Sequence, residues 1–290
     1  MRLARVQVHD DTFVVLGDDE GRLRPVHALP GRAHIRDVAD VIREPLTDIE
    51  VASLSSTPPI DLDDVSWLSP VRRTPKNVFC VGLNYLAHLP ESTQMRSAAA
   101  STDAGAPVWF TKPWTSLQGH GQPLALAPDR TAVDYEGEVA AVIGSPCSHA
   151  SAETALDYVF GYTIVNDISD RELQREREQW FLGKAGRGHA PCGPWIVTAD
   201  EVGDPQKLHV RTTVSGEIRQ EAQTSQMIHS FAHLIADLSA IVDLEPGDII
   251  AGGTPAGVGM ADGRYLKPGD EVSIAVDRLG VLTTPVVGSL

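Results

Sequence analysis

Three acidic residues constrain this chain more than any others in it. Glu136 and Glu138 lie in Asp134-Tyr-Glu-Gly-Glu-Val-Ala-Ala-Val-Ile-Gly144, and Asp167 follows in Ile164-Val-Asn-Asp-Ile-Ser169. Val139, Ala141, Val142 and Ile143 carry the first segment into a core as a strand. Residues two apart on a strand share a face, so both glutamates point one way while Tyr135 and Gly137 point the other. Like charges on a half-buried face repel and lose hydration, a penalty that a cation or protons must offset. A third carboxylate is the pattern of a hard divalent cation held by oxygen ligands. Taken alone, Glu-x-Glu also occurs on solvated strand edges.

The motif stands in an ordered series. Val81-Gly-Leu-Asn-Tyr85, Asp134-Tyr-Glu-Gly-Glu138, Val142-Ile-Gly144, Gly161-Tyr-Thr, Asn166-Asp-Ile-Ser, Arg171-Glu-Leu-Gln174, Gly193-Pro-Trp195, Pro246-Gly-Asp-Ile-Ile250 and Gly253-Thr-Pro-Ala-Gly-Val-Gly259 follow one another with tight spacing. In that order they resemble the fumarylacetoacetate hydrolase family from about Pro75 to the C-terminus. The resemblance implies a Mg²⁺- or Mn²⁺-dependent enzyme acting on small 2-oxo or diketo acids, with Glu136, Glu138 and Asp167 at the metal-ligand positions. It also implies a homodimer, and an α+β fold of the family's type: a mixed β-sandwich roll with the site in its mouth.

Composition excludes other classes. The net charge of −15 argues against nucleic-acid and anionic-membrane partners, which need basic patches. Three cysteines without a Cys-x-x-Cys pair make neither a disulfide framework nor a cysteine-rich zinc site, and a reducing cytoplasm fits them. Neither a secretory signal nor a stretch of about 18 apolar residues is visible. No Gly-x-Ser-x-Gly elbow and no dinucleotide fingerprint occurs, against a serine hydrolase or an NAD enzyme.

Residues 1–72 read as a small N-terminal αβ domain, ending near Leu68-Ser-Pro-Val-Arg-Arg-Thr-Pro75, and residues 73–290 as the catalytic domain. Strands are expected at Asn77–Val81, Val108–Thr111, Glu138–Ile143, Gly161–Asp167, Leu208–Val214, Asp248–Ala251, Glu271–Val276 and Gly280–Pro285. Helices are expected at Ala152–Val159, Arg171–Trp180 and Ser225–Ile241, giving an α+β class. Residues from about Leu86 to Ala106, small and polar in their later part, are expected to form a mobile lid, a plain surface loop being the alternative.

Six further residues are candidates for chemistry. His88 and Glu91, three apart, can meet on one helical turn, where a carboxylate orients imidazole and raises its basicity. The resembling hydrolases and decarboxylases carry a lid His-x-x-Glu at this distance from Asn-Tyr. Pro90 restricts that turn, since it lacks a backbone donor. Arg171 and Gln174 share a helix face and match the family's substrate contacts. Lys184 matches a family lysine that binds substrate oxygen, and Thr254, in a glycine-rich turn, a threonine that donates to a substrate carboxylate. The chain departs from the family at Ala185-Gly-Arg187-Gly-His189, which puts the pocket for the distal part of the substrate in doubt. The expected reaction is metal-dependent hydrolysis of a C–C bond in an acylpyruvate or other 2,4-diketo acid. Decarboxylation or isomerisation of a 2-oxo or 2-hydroxy-dienoate acid on the same chelate is the alternative, and a member that binds a 2-oxo acid without turnover is a third.

Overall fold

The computed structural model describes residues 1–290 apart from 19, 92–104, 177, 178 and 290. Its centre is the strand Gly137–Ile143, every residue of which is buried. Alternation along that strand divides the protein's two main cores. Val139, Ala141 and Ile143 enter one apolar cluster, while Ala140 and Val142 enter the other. A strand apolar on both faces belongs in the middle of a covered sheet. Here it pairs antiparallel with Val159–Asn166 on one side and Ile249–Ala251 on the other.

Among the described residues the sheet has 11 strands. Beyond Ile249–Ala251 lie Val78–Gly82 and Val108–Lys112; beyond Val159–Asn166 lie Ala190–Thr198, Arg2–Val8, Asp11–Gly17 and Leu23–Pro25. A second, five-stranded sheet runs Glu217–Gln223, His209–Val214, Glu271–Val276, Gly280–Gly288, Leu124–Leu126. Val272, Ile274 and Val276 alternate with more exposed neighbours, so this sheet turns one face inward onto the first cluster. Helix Phe231–Ser239 closes the same cluster with Phe231, Leu234, Ile235 and Leu238, a helical stripe begun by Ser230, whose hydroxyl accepts from His233 N–H. The mixed, sheet-dominated α+β class expected from the sequence is what the chain forms.

The other cluster joins residues from either side of residue 72. Leu3, Val14, Val26, Ile35, Val38 and Val41 pack with Val78, Cys80, Ala140, Val142 and Val165. Strand Arg2–Val8 meets Ala190–Thr198 through Arg2↔Val197 and Leu3↔Ile196. Two capped helices, Val38–Arg43 behind Asp37 and Asp48–Leu54 behind Thr47, complete this layer.

Several elements differ from the sequence expectation. The expected helix from Ala152 is a 3₁₀ turn, Ala155–Tyr158, and Ser225–Ile241 contracts to Phe231–Ser239. Of the expected Arg171–Trp180, Arg171–Glu176 is helical, and a further short helix, Phe181–Lys184, lies beyond it. Strand Ala190–Thr198 was hidden by Pro191, Gly193 and Pro194; the ladder with Val159–Asn166 shifts register opposite Gly193, an irregularity that accommodates proline. Among the described residues no helix is long and apolar enough to cross a membrane.

Candidate metal centre and active site

Each acidic residue reaches the site from a strand end. Glu136 and Glu138 flank Gly137 at the start of the central strand, and Asp167 directly follows its neighbour Val159–Asn166. The backbone locks them together: Asp167 N–H donates to Glu136 O (2.8 Å), and Glu136 N–H to Asn166 Oδ1 (3.1 Å). All three carboxylates are buried, with ligand oxygens within 4.8 Å of one another.

Fixed cations and amides surround them. Lys184 Nζ donates to Glu136 Oε2 (2.9 Å) and Asp167 Oδ2 (2.7 Å). Arg171 Nη2 ion-pairs with Glu136 Oε1 at 2.6 Å. Lys112, wholly buried at the end of its strand, donates to Asp167 Oδ1 (2.6 Å) and Ile168 O (3.0 Å). Among the described residues, Glu138 Oε2 accepts only a backbone N–H, that of Gly253, at 2.9 Å. This difference sets the electrostatics. Burial raises a carboxyl's pKa, but Lys184 and Arg171 overcome it at Glu136 and hold that group below the usual range. At Glu138, burial and the charges of Asp167 and Glu136 act together and push the group well above it. Three hard oxygen donors, one destabilised by its like-charged neighbours, fit a small divalent cation, whose charge would ionise Glu138.

Beside this cluster stands the expected dyad. Asn84 ends the approach from strand Val78–Gly82: its Nδ2 donates to Gly252 O (2.8 Å) and His229 O (3.0 Å), and its Oδ1 accepts from His229 N–H (2.7 Å). The chain then makes a 3₁₀ turn, Leu86–His88, so Pro90 lies past the turn and interrupts nothing. His88, 4% exposed, meets Glu91 Oε2 through Nδ1 at 2.8 Å. Both carboxylate oxygens of Glu91 accept from Gly257 N–H (2.9 and 3.1 Å), and Tyr135 Oη donates to Gly257 O (2.8 Å). Residues 92–104, which hold most of the expected lid, lie outside the described residues.

The other candidates divide. Lys184, Gln174, Thr254 and His88 line the cleft with Glu136 and Glu138, floored by Phe110 and Trp180. Thr254 Oγ1 donates to Gly137 O (3.1 Å) and accepts from Gln220 Nε2 (2.8 Å). Arg171 instead sits behind Glu136: its Nε donates to Asp134 Oδ2 (2.9 Å), its Nη1 to Gln174 Oε1 (2.9 Å), and it is wholly buried. Asp134 in turn accepts Gly259 N–H (2.7 Å) and Met260 N–H (2.9 Å), tying Arg171 to the glycine-rich turn. In the departing loop, Arg187 is exposed, and burial together with nearby Lys112 pushes His189 down to about 3.

Asp134, Tyr135, Lys112, Asn84 and Gln220 were not singled out by sequence. Asp134 and Tyr135 lay inside the quoted motif, but a strand pattern says nothing about which side chain braces another. Lys112 carried one signal, a lysine closing an apolar run, which reads as a solvated strand end.

A buried carboxylate triad, opposed by lysines and flanked by a His–Glu pair on a mixed-sheet scaffold, defines a divalent-metal-type enzyme centre. The pattern of the fumarylacetoacetate (FAA) hydrolase C-terminal family matches residues 77–287. The chain is similar in structure to a fumarylacetoacetate hydrolase from psychrophilic Exiguobacterium antarcticum, with TM-score 0.86, 34% identity and 99% of both chains covered. A maleylpyruvate hydrolase from Sphingobium sp. SYK-6, in complex with manganese(II) and pyruvate, aligns at TM-score 0.82 and 30% identity over 100% of both chains. A 5-carboxymethyl-2-hydroxymuconate delta-isomerase from Mycobacterium smegmatis aligns at TM-score 0.78 and 35% identity, again over 100% of both. The chain belongs to the fumarylacetoacetate hydrolase family.

Proposed function

We propose that this protein hydrolyses a C–C bond in an acylpyruvate or related 2,4-diketo acid, with Mg²⁺ or Mn²⁺ held by Glu136, Glu138 and Asp167, and that it works as a homodimer. The observation that carries the reading is that His88, paired with Glu91, lines one cleft with Glu136 and Glu138. When bound, the cation supplies a Lewis acid that polarises the 2-oxo group and stabilises enolate charge. The residues do the rest. Lys184 and Gln174 bind the carboxylate end of the substrate, and Thr254 contributes there if its hydroxyl turns from Gly137 O. Phe110 and Trp180 present an apolar wall to the methylene. His88, oriented by Glu91, accepts a proton from water as the water oxygen adds to the carbonyl remote from the carboxylate. Collapse of that adduct breaks the C–C bond, leaving one carboxylic acid and the electron pair on the pyruvate fragment as its enolate. His88 then returns its proton to the enolate carbon. Arg171 takes no part in binding in this scheme; it holds Glu136 in place.

Purified protein with Mg²⁺ incubated with acetylpyruvate, fumarylpyruvate and oxaloacetate, with product identification, tests the proposal. Pyruvate and a second acid from a diketo acid support it; no cleavage of any of them counts against it. A second reading, isomerisation of a 2-hydroxy-dienoate, is favoured by the likeness to the delta-isomerase. It would show as a shifted double bond with no fragment released.

A further inference from the structure

Every carboxylate of the cluster has one of its two oxygens tied from behind by a donor of its own. Asp167 Oδ1 accepts from Lys112 at 2.6 Å, Glu136 Oε1 is held by its ion pair with Arg171 Nη2 at 2.6 Å, and Glu138 Oε2 accepts from Gly253 N–H at 2.9 Å. The opposite oxygens of Asp167 and Glu136 are those that Lys184 bridges, at 2.7 and 2.9 Å. The three back-side donors differ in kind and come from three separate elements: strand Val108–Lys112, helix Arg171–Glu176, and the turn after Ile249–Ala251. Two of them, Lys112 and Arg171, are wholly buried, so neither donor has solvent as an alternative partner. Lys112 is pinned further by its bond to Ile168 O at 3.0 Å, which stops the ammonium from following Asp167 if the carboxylate rotates.

Resting on the metal-centre reading, we infer that these donors fix the denticity of the site: each carboxylate presents to an ion the one oxygen its own donor leaves, which on Asp167 and Glu136 is the oxygen that Lys184 bridges and would yield to the ion, and Lys112 is the residue that keeps Asp167 from presenting two. The consequence is ion selection. Ca²⁺ takes six to eight oxygens at 2.3–2.6 Å and commonly uses carboxylates bidentately, whereas Mg²⁺ demands six at about 2.0–2.1 Å in near-ideal octahedral geometry. Three one-oxygen carboxylates would suit an octahedron completed by water or substrate, and would withhold the bidentate carboxylate contacts that the larger ion commonly uses. Lys112 is thus a positioning residue that acts through Asp167 and touches no substrate. Its removal should shift which ion is preferred, which a generally loosened site would not do, since loosening weakens all ions alike.

Calorimetry of the wild-type protein and of Lys112→Met with Mg²⁺, Mn²⁺ and Ca²⁺ tests this directly. The wild type is expected to bind Mg²⁺ and Mn²⁺ more tightly than Ca²⁺. In Lys112→Met the Mg²⁺ affinity should fall about 10-fold or more, the range for loss of an outer partner of a metal ligand, while Ca²⁺ affinity falls less, so that the Mg²⁺:Ca²⁺ ratio drops. Lys112→Gln, which keeps a donor, should retain more of the preference than Lys112→Met. An unchanged ratio in a folded Lys112→Met protein overturns the inference while leaving the metal centre standing. A wild type that binds none of the three ions overturns the metal centre itself, and the inference with it. Should Lys112→Met not fold, a crystal structure of the wild type with Mn²⁺ decides. An ion touching one oxygen of Asp167, with Lys112 on the other, supports the inference, and an ion on both oxygens overturns it.

Discussion

His88 and Glu91 are joined at 2.8 Å, and Glu91 is held in turn by Gly257 N–H, so the pair should behave as one catalytic unit. His88→Ala is expected to lower kcat by about 10²–10⁴-fold, the range of a general-base step, while calorimetric Mn²⁺ affinity stays near wild type. Glu91→Gln should reproduce much of that loss, and the double variant should be little worse than either single one, because such residues are non-additive. Additive losses would show two independent roles. Arg171 has a different role. It lies wholly buried between Asp134 and Glu136, so Arg171→Met leaves the buried Asp134 without its cation and Glu136 with Lys184 alone. That should cost about 3–5 kcal/mol, read as a lowered urea midpoint of unfolding. At this scale the sequence was legible where chemistry is local. The Glu136-x-Glu138 and His88-x-x-Glu91 steps are short-range patterns, whereas Asp167 joined them through the resemblance to the family. Arg171 was not, because its partner Asp134 is 37 positions away and only the fold brings them together.

Elements show the same division. Strands with a clear apolar run, such as Val78–Gly82 and Glu271–Val276, were readable from pattern, since alternation and burial coincide there. Strand Glu217–Gln223 was not: it is polar at nearly every position, sits at the edge of its sheet, and turns Gln220 inward to brace Thr254 and Gly137. The glycine-rich turn after Ile249–Ala251 is where element geometry meets catalysis. Gly257 adopts φ +104°, and a Cβ there would lie 1.8 Å from Arg219 O. Gly257→Ala is therefore expected to displace the N–H that holds Glu91 and to lower kcat toward the Glu91→Gln level. Steady-state kinetics beside Mn²⁺ titration checks this; full activity would mean Glu91 needs no such clamp. The loop Ala185–His189 bears on stability with pH. His189 is held down to about 3, first by burial and then by Lys112, against an ordinary 6.5, so it stays neutral in the fold. The unfolded chain binds its proton below about 6.5, so the fold loses stability as pH falls from there toward 3, and above that window His189 adds no pH dependence. Urea unfolding of wild type and His189→Asn at pH 7.5 and 5 (about neutral and mildly acidic) should give a smaller acid penalty in the variant.

Across the whole molecule, the composition shift near residue 72 is visible in sequence, but the packing across it is not. Leu3, Val14, Ile35 and Val38 share a cluster with Val78, Cys80, Ala140 and Val142, and the first strand extends the sheet through Leu3↔Ile196. Hydrophobic pattern reports that a residue is buried without reporting against what. We propose 72/73 as a boundary of sequence organisation whose two sides fold together. A chain comprising 73–290 alone should expose that apolar face and be recovered as aggregate, or with a much lowered thermal midpoint. A monodisperse, normally stable fragment would show that the second part is self-sufficient.

Lys184, with its ammonium between Glu136 and Asp167, has a consequence for when the protein can take up its ion. An internal counter-ion already offsets part of the acidic cluster, so the polypeptide can mature before any mineral cofactor reaches it. Loading then becomes an exchange at a finished surface rather than a step of assembly. Sequestering divalent ions should silence the enzyme and spare the fold: with EDTA, circular-dichroism melting should remain cooperative, and re-addition of Mn²⁺ should restore turnover without a refolding lag. A protein organised this way can idle through scarcity and resume when the ion returns.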